Sequence, residues 1–325
     1  MMLRLILTCV LATCLTVGCN KTADTPADQA VSRVSLQPIP AYAPLWVAKQ
    51  KGWLEAALKD ARLGTVQWVV MRDGPLQNEA FAAGQLDVAL MGDTPAIVGR
   101  SAGLGNRIIS IASYSPGSLA VLVPADSTVR AVAELKGKKV GVTKGSFCHH
   151  LLALALKRDG LSLSDIQFIN MAAPDINTAL QTKEIDAGVT WEPYITQLTG
   201  KNVARVLVDG AGLKRGDEVI VASEAFATRH PKAVETLLRV YQRGATFIKE
   251  HPDDAAVIVG EAVKLTPAEV KATFDKSVYR PGLSAEDVAE FAKSEAFLRE
   301  LGLTRAPVDV SVLTDPTYAK AAGLQ

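Results

Sequence analysis

Two acidic residues occupy matching positions in a repeated part of the sequence, and their pairing suggests a first possible chemistry. Residues 80–91 resemble residues 179–190, and continuing both segments in step places Asp93 opposite Glu192. Two carboxylates held about 5–10 Å apart could act as the acid and base of a glycosidase. If each lies on a separate mobile lobe, that separation is poorly held, and binding a cationic group of a ligand is favoured over catalysis. For Glu192, a salt bridge or a solvated turn is the alternative.

A serine at the predicted start of a helix is the second candidate. Gly145 and Ser146 follow a predicted strand and precede residues 147–157, which have helical character. Gly145 allows the backbone to approach a ligand, and Ser146 offers a hydroxyl beside free N–H groups at the positive end of the helix dipole. This arrangement suits a sulfonate, sulfate, nitrate or carboxylate group. Capping of its own helix is an equally good interpretation of Ser146.

The run Cys148-His149-His150 has the residue types of a metal site but not the spacing. Consecutive residues on a helix point about 100° apart, so three neighbours do not converge on one ion. His149 is expected near the cleft, either as a ligand contact or as a packed histidine. The chain has no nucleophile-elbow motif, P-loop or dinucleotide fingerprint. We therefore predict no catalytic residue, no cofactor and no metal.

The elements that must position these residues alternate between short β-branched runs and helical stretches. Strands are predicted at 34–37, 66–70, 86–91, 139–142, 166–171 and 185–191, with helices at 43–51, 76–83, 147–157 and 175–182. From Ser223 onward the chain is mainly helical, at 231–250, 253–263, 266–274 and 284–301. Helices between strands predict parallel sheets covered by helices. The fold class is therefore α/β with a helical C-terminal third.

The repeat predicts two lobes built to one plan, although any two α/β segments share some likeness. Both copies are expected to run strand, helix, strand, helix, strand. In open parallel sheets, ligands bind beyond the carboxyl ends of the strands. Two such lobes facing one another would enclose a cleft at the ends of their strands.

The N-terminus has the pattern of an export signal. Arg4 precedes an uncharged stretch over 5–17, which is shorter than the roughly 20 residues of a membrane span. Gly18-Cys19 resembles the end of a lipoprotein signal, which predicts a signal peptide over 1–18, a lipid on Cys19 and a flexible tether over 19–32. Cleavage elsewhere and an uncleaved anchor are the alternatives. The protein is thus expected to be exported, periplasmic or at the cell surface, and anchored to a membrane.

The cysteine content and the net charge agree with an exported protein that does not bind nucleic acid. Cys9, Cys14, Cys19 and Cys148 are the cysteines of the chain, so only Cys148 lies in the predicted globular body, where it has no disulfide partner. Lys and Arg number 35 and Asp and Glu 34, which gives a net charge of +1. Without an excess of positive charge, no nucleic-acid partner is expected.

Several runs resemble the periplasmic substrate-binding proteins of ABC importers for nitrate, aliphatic sulfonates and taurine. They stand, in order along nearly the whole chain, at 44–52, 119–127, 134–142, 144–152, 191–194 and 222–231. The resemblance implies a two-lobed type II periplasmic binding protein fold, with each lobe a mixed, mainly parallel sheet flanked by helices. It further implies one lobe from 33–122 plus 222–325 and a second from 123–221.

The same resemblance implies a ligand site. Position by position it comprises Tyr42, Asp93, Thr94, Gly145, Ser146, His149, Trp191 and Glu192. Sulfonate-binding relatives often carry Gln two residues after a loop glycine, whereas here Leu76 stands at that place after Gly74 and Gln77 follows. Gln77 is retained as a candidate ligand contact, and Trp191 is expected either to stack on the ligand or to belong to the core.

These features predict the substrate-binding lipoprotein of an ABC importer. Hinge closure of the lobes would capture a small anionic or zwitterionic solute, an aliphatic sulfonate or a taurine-like compound, and a permease in the inner membrane would recognise the closed form. The protein is expected to be a monomer and not an enzyme. The alternatives are a solute of another class, nitrate or a thiamine-precursor pyrimidine, a biosynthetic enzyme on the same fold, and a ligand-sensing partner of a signalling receptor.

Overall fold

Two five-stranded sheets form the framework of the protein. The computed structural model describes residues 30–324, so the predicted signal peptide, Cys19 and most of the predicted tether lie outside the described residues. The strands are β1 (Val31–Leu36), β2 (Thr65–Val70), β3 (Val88–Gly92), β4 (Asn106–Tyr114), β5 (Leu119–Pro124), β6 (Lys139–Val142), β7 (Gln167–Asn170), β8 (Ala187–Trp191), β9 (Ala204–Asp209) and β10 (Asp217–Ser223).

Helices connect and cover these strands. They are α1 (Ala43–Gln50), α2 (Trp53–Asp60), α3 (Gly74–Ala82), α4 (Asp93–Ser101), α5 (Phe147–Arg158), α6 (Ala173–Gln181), α7 (Tyr194–Gly200), α8 (Glu224–Arg229), α9 (Pro231–Glu250), α10 (Pro252–Val263), α11 (Pro267–Phe274), α12 (Ala285–Glu300), α13 (Val310–Leu313) and α14 (Thr317–Ala321). None of the helices between residues 30 and 324 is long and apolar enough to span a bilayer.

The two sheets share one strand plan, which confirms the predicted α/β class of mixed, mainly parallel sheets. The first sheet has the order β2-β1-β3-β10-β4 and the second the order β7-β6-β8-β5-β9. In the first, β1 pairs in parallel with β2 and β3, and β10 runs antiparallel to both of its neighbours. In the second, β6 and β5 take the places of β1 and β10 with the same directions. The sequence repeat therefore corresponds to a structural repeat.

The chain passes between the sheets twice, through residues 115–118 and 210–216. β4 belongs to the first sheet and β5 to the second, while β9 belongs to the second and β10 to the first. The lobe limits predicted after residues 122 and 221 fall inside β5 and β10 and need correction. Leu122 pairs with strands of the second sheet on both sides, and Ala222 does the same in the first, so neither residue lies at a crossing.

The central strands are apolar because helices cover both faces of each sheet. Every residue of β3, β5 and β8 is buried, as expected for strands inside a covered sheet. The C-terminal helices extend the first lobe, where Phe291 and Leu298 of α12 pack in one cluster with Met91 and Val219. The start of α12 is set by a capping box, in which Ser284 and Asp287 satisfy each other's backbone N–H groups. Phe297 of α12 contacts the rings of His149 and His150 in α5, so α12 also lies beside the second lobe.

Candidate functional site

Three helix starts meet in a cavity between the two lobes. Its lining includes Gly74 at the start of α3, Gly92 before α4, and Gly145 and Ser146 before α5. The cavity has a volume of ≈ 40 Å³, and a second cavity of ≈ 20 Å³ shares the lining residues Phe147, Trp191 and Glu218 with it. We call the two cavities together the interlobe cleft, and their small volumes show that the lobes lie close together.

The first cavity has the features of an anion site. The starts of α3, α4 and α5 direct the positive ends of their dipoles towards it. Lys144 adds a cation to the lining, and Asp73, which caps α3 by accepting a hydrogen bond from the Leu76 N–H, adds a carboxylate. The backbone N–H groups of Phe147 and Cys148, in the first turn of α5, have no hydrogen-bond acceptor among the described residues. Unpaired N–H groups at a helix start can donate to the oxygens of a bound anion.

Ser146 is a helix cap in this structure. Its Oγ accepts a hydrogen bond from the His149 backbone N at 3.3 Å and donates to the Thr143 carbonyl at 2.7 Å. Gly145 has a φ of +78°, in the left-handed region that favours glycine, and a Cβ added there would meet no other atom. Both residues line the first cavity at the predicted position, but the serine hydroxyl proton is already engaged within the loop.

His149 supports this loop instead of lining the cleft. Its Nδ1 accepts a hydrogen bond from the Gly145 N–H at 3.2 Å, and its ring packs against Phe168 and Phe297. Burial, with a smaller effect of Lys144, lowers the pKa of His149 to about 4. The imidazole is therefore neutral at neutral pH and acts here as an acceptor for the loop glycine. Of the two predicted roles, the packed histidine is the one observed.

The second cavity is lined by two carboxyl groups and two serines. Glu192, Glu218, Ser115 and Ser118 all contribute to it. Glu192 is 3% exposed, and its Oε1 accepts a hydrogen bond from Lys276 Nζ at 2.9 Å. The Glu192 carboxylate also accepts from the Thr196 hydroxyl and backbone N, both at 3.0 Å. The predicted placement of Glu192 in the cleft is thus observed, together with the salt bridge considered as the alternative.

The ion pair between Lys276 and Glu192 joins the two lobes. Val278, two residues later, bridges to Tyr114 of β4, which places this segment at the edge of the first sheet. Glu192 follows β8 of the second sheet. The Lys276 side chain is 38% exposed and the Glu192 side chain 3%. The pair therefore ties the two lobes together at a partly solvated point of the cleft.

Glu218 is a cleft residue that the sequence analysis missed. It is 4% exposed, lines both cavities and accepts a hydrogen bond from the Tyr42 hydroxyl. Burial raises the pKa of Glu218 to about 8, against the opposing effect of the Tyr42 hydrogen bond. The available signal was Asp217-Glu218, two acids at the start of an otherwise apolar run. At neutral pH the Glu218 carboxyl is protonated and can donate a hydrogen bond to a ligand.

Tyr42 and Gln77 do not line the cleft, but each forms a hydrogen bond with a residue that does. Tyr42 is fully buried against Glu218, and burial raises its own pKa well above the usual value. The Gln77 amide donates to Ser35 Oγ at 2.9 Å and accepts from Gln37 Nε2 at 3.1 Å. Gln37 lines the first cavity, whereas neither Tyr42 nor Gln77 lines either one. Both predicted contacts therefore hold a lining residue in place.

Asp93 lies in a buried ion pair outside the cleft lining, so its predicted position facing the cleft is not observed. Asp93 is fully buried, and its Oδ2 accepts from Lys214 Nζ at 2.7 Å and from Ser294 Oγ at 2.5 Å. Lys214 belongs to the second crossing segment and Ser294 to α12. Thr94 is also fully buried, and its Oγ1 has no partner within residues 30–324. Asp93 and Glu192 match in sequence, but only Glu192 lines the cleft.

Two aromatic rings form the wall between the cavities. Phe147 and Trp191 lie with their ring centroids 5.6 Å apart, and both line both cavities. Phe147 reaches across to the other lobe, where a Cβ added to Gly92 would stand 2.8 Å from its Cδ1. The predicted position of Trp191 beside the cleft is thus observed. The role of Phe147 was missed because a helix-start Phe carries no signal of what it faces.

The described residues hold no group of three or more His, Cys, Asp and Glu side chains that could bind a metal ion. Cys148 is buried, and burial raises the pKa of its thiol well above the usual value. A buried thiol of raised pKa is a poor nucleophile. The arrangement as a whole suits the binding of a small, partly anionic molecule between two lobes.

Comparisons with known proteins agree with this geometry. Residues 39–255 match the family described as NMT1/THI5 like. A protein of Bacillus subtilis (strain 168), assigned by name to aliphatic-sulfonate binding, is 28% identical over 311 residues, covering 95% of this chain and 93% of that protein. The taurine-binding periplasmic protein of Escherichia coli (strain K12) is 27% identical over 179 residues, covering 54% of this chain and 55% of that protein.

A solved structure shows the same fold. The alkanesulfonate-binding protein SsuA from Xanthomonas axonopodis pv. citri, bound to MOPS, superposes with a TM-score of 0.80 at 26% identity. The superposition covers 88% of this chain and 98% of that one. The predicted two-lobed architecture of a type II periplasmic binding protein is thereby confirmed.

Proposed function

The chain belongs to the NMT1/THI5-like family, and we propose that it is the exported substrate-binding component of an ABC importer, with a small aliphatic sulfonate as its solute. The observation that carries the proposal is the convergence of three helix starts and Lys144 on one cavity between the lobes. The names of the relatives in Bacillus subtilis and Xanthomonas support the sulfonate class. Because these relatives are binding proteins by name, binding is favoured over a biosynthetic activity.

The second cavity favours an uncharged group at the far end of the solute. Glu192 is neutralised by Lys276, and Glu218 is protonated at neutral pH because burial raises its pKa to about 8. This end of the cleft thus carries little net charge while offering hydroxyl and carboxyl hydrogen bonds. An alkanesulfonate fits this balance better than a zwitterion does. A taurine-like solute is the second candidate, since displacement of the partly exposed Lys276 would free the Glu192 carboxylate for an ammonium group.

Capture by lobe closure is part of the proposal. The cleft cavities are small, and Phe147 of one lobe packs on Gly92 of the other, so a solute enters only when the lobes separate. The two crossing segments, 115–118 and 210–216, are the natural hinge. A permease that recognises the closed form completes the transport step. The signal at residues 1–18 and a lipid on Cys19 would place a monomer at the membrane surface.

A ligand screen of the body from Asn20 onward tests the proposed function. Ethanesulfonate, taurine, nitrate, sulfate and a thiamine-related pyrimidine are compared by thermal shift, after removal of any carried-over ligand. A solute present at about 100 times its Kd stabilises the native protein by roughly 2.7 kcal/mol. We expect the largest shift with ethanesulfonate and a smaller one with taurine. A shift with nitrate or the pyrimidine alone would overturn the sulfonate assignment.

A further inference from the structure

A cavity with mostly apolar walls lies apart from the cleft. It has a volume of ≈ 700 Å³ and lies between α5 of the second lobe and α12 of the first, beside the second crossing segment. It shares no lining residue with either cavity of the cleft. Its volume falls within the range of about 300–1,000 Å³ that is typical of small-molecule sites. We call it the α5–α12 pocket.

The walls of the α5–α12 pocket are mostly apolar and partly aromatic. Leu154 of α5, Leu213 of the crossing segment and Leu301 after α12 are among its lining residues. His150 and Phe297 also line it, and their rings stack at a centroid distance of 4.0 Å with an angle of 7° between them. A stacked pair of rings presents a surface on which another flat ring system can pack.

Buried polar groups lie at the inner end of the pocket. Lys214 and Ser294 line it, and the Lys214 Nζ bonds to the Ser294 hydroxyl at 3.0 Å as well as to Asp93. His150 is 4% exposed, and its Nδ1 has no hydrogen-bond partner among the described residues. Burial, with a smaller effect of Lys214, lowers the pKa of His150 to about 3, so the ring is neutral at neutral pH.

The charges around the pocket nearly balance. Lys157, Lys293, Glu290 and Glu300 contribute two cations and two anions to the lining, and Lys293 pairs with Glu290 at 2.5 Å. Lys214 is neutralised by Asp93 at 2.7 Å. A charged ligand would gain little here and would lose its hydration, because most of the exposed lining surface is apolar. An uncharged ligand is therefore favoured.

We propose that the α5–α12 pocket is a second small-molecule site, which takes an uncharged aromatic compound with one hydrogen-bonding group. The ring system packs on Phe297 and the leucine walls, and the polar group reaches the inner end near His150 and Ser294. Because the walls belong to both lobes, an occupant stabilises the relative position of the lobes seen here. The site does not depend on which solute the cleft binds.

Nile red, an uncharged aromatic dye with a carbonyl acceptor, is the probe for this site. Its fluorescence rises on transfer from water to apolar surroundings, and we expect saturable one-to-one binding to the full chain. Ala296 is an exposed residue of α12 that lines the pocket, so Ala296→Trp fills the space without disturbing the core. We expect this variant to weaken Nile red binding by about tenfold or more, because the indole ring occupies volume that the dye needs; tenfold corresponds to about 1.4 kcal/mol.

Ala292→Trp is the matched control, because Ala292 is also exposed on α12 but does not line the pocket. The control should bind Nile red as the wild type does, and both variants should melt at the wild-type temperature. Saturating ethanesulfonate should leave the dye bound, because cleft and pocket share no residue. Equal binding by the two variants would overturn the proposal. So would displacement of the dye by ethanesulfonate, or the lack of saturable binding to the wild type.

Discussion

Binding of an alkanesulfonate should depend on pH through Glu218. This carboxyl lines both cleft cavities, and burial raises its pKa to about 8. Asp93 and Asp217 add to this rise, whereas the Tyr42 hydrogen bond and Lys214 oppose it. When protonated, the group donates a hydrogen bond and carries no charge. When ionised, it places a negative charge in the cavity that must hold an anion.

The size of the effect follows from the protonated fraction. With a pKa of about 8, roughly nine-tenths of the Glu218 carboxyls are protonated at pH 7 and about one-tenth at pH 9. If only the protonated form binds, the apparent Kd is divided by that fraction and increases about tenfold between these pH values. Replacement by an amide, Glu218→Gln, removes the titration while keeping a hydrogen-bond donor. The variant should bind almost equally at both pH values.

The same group affects stability with a defined sign. The native state holds the Glu218 proton up to a pKa of about 8, whereas an unfolded Glu loses it near its ordinary value of 4.5. Between these values the native protein binds more protons, so its free energy of unfolding falls as the pH rises. Glu218→Gln should remove this part of the slope.

Calorimetric titration with ethanesulfonate at pH 7, 8 and 9 measures the apparent Kd, and urea unfolding at the same pH values measures the free energy of unfolding. Glu290→Gln is the control, since Glu290 is a partly buried carboxyl outside the cleft lining. The reasoning is refuted if wild-type affinity is constant from pH 7 to 9, or if Glu218→Gln retains the wild-type pH dependence.

Three further predictions concern the buried Asp93–Lys214 pair and two residues of the cleft lining. Lys214→Met leaves the Asp93 carboxylate buried without a cation, so we expect urea unfolding to show a free energy of unfolding lower by about 3–5 kcal/mol. The exposed Lys293→Met is the control, for which a loss below about 1 kcal/mol is expected. An equally small loss for Lys214→Met would contradict a stabilising role of the buried ion pair. Ser146→Ala removes the cap of α5 and should lower the free energy of unfolding by about 1 kcal/mol, measured in the same way; an unchanged value would show that the cap contributes nothing. Gly92→Ala puts a Cβ 2.8 Å from Phe147, so titration should show several-fold weaker sulfonate binding, with wild-type affinity as the opposing result.

Helices and strands were predictable from the sequence where nearby residues by themselves fix the bounds of the element. The predicted strand over 139–142 and the predicted helix over 231–250 have the bounds of β6 and α9. Pro231 fits the first position of α9, and apolar residues recur along the helix at helical spacing. In contrast, β4, β5, β9 and β10 were not predicted as strands. Their pairing is antiparallel and joins distant parts of the chain, which no local pattern reveals.

The candidate site was only partly predictable, for a similar reason. The repeat placed Asp93 and Glu192 at equivalent positions, each just past a strand of its own sheet. Their environments differ because their lysine partners, Lys214 and Lys276, lie 121 and 84 residues away along the chain. Sequence equivalence therefore identified where each carboxylate stands but not what it pairs with.

The order of residues by itself determined the two-lobed α/β plan, the helix starts around Ser146 and the location of the cleft at the strand ends. These follow from local signals, namely apolar periodicity, capping residues and glycines. Only the tertiary structure decided that Glu218 is a protonated cleft residue, that Asp93 is held by Lys214, and that Phe147 divides the cleft. Burial and long-range pairing set the charge state of a carboxyl, and both arise only when segments far apart in the chain are packed together.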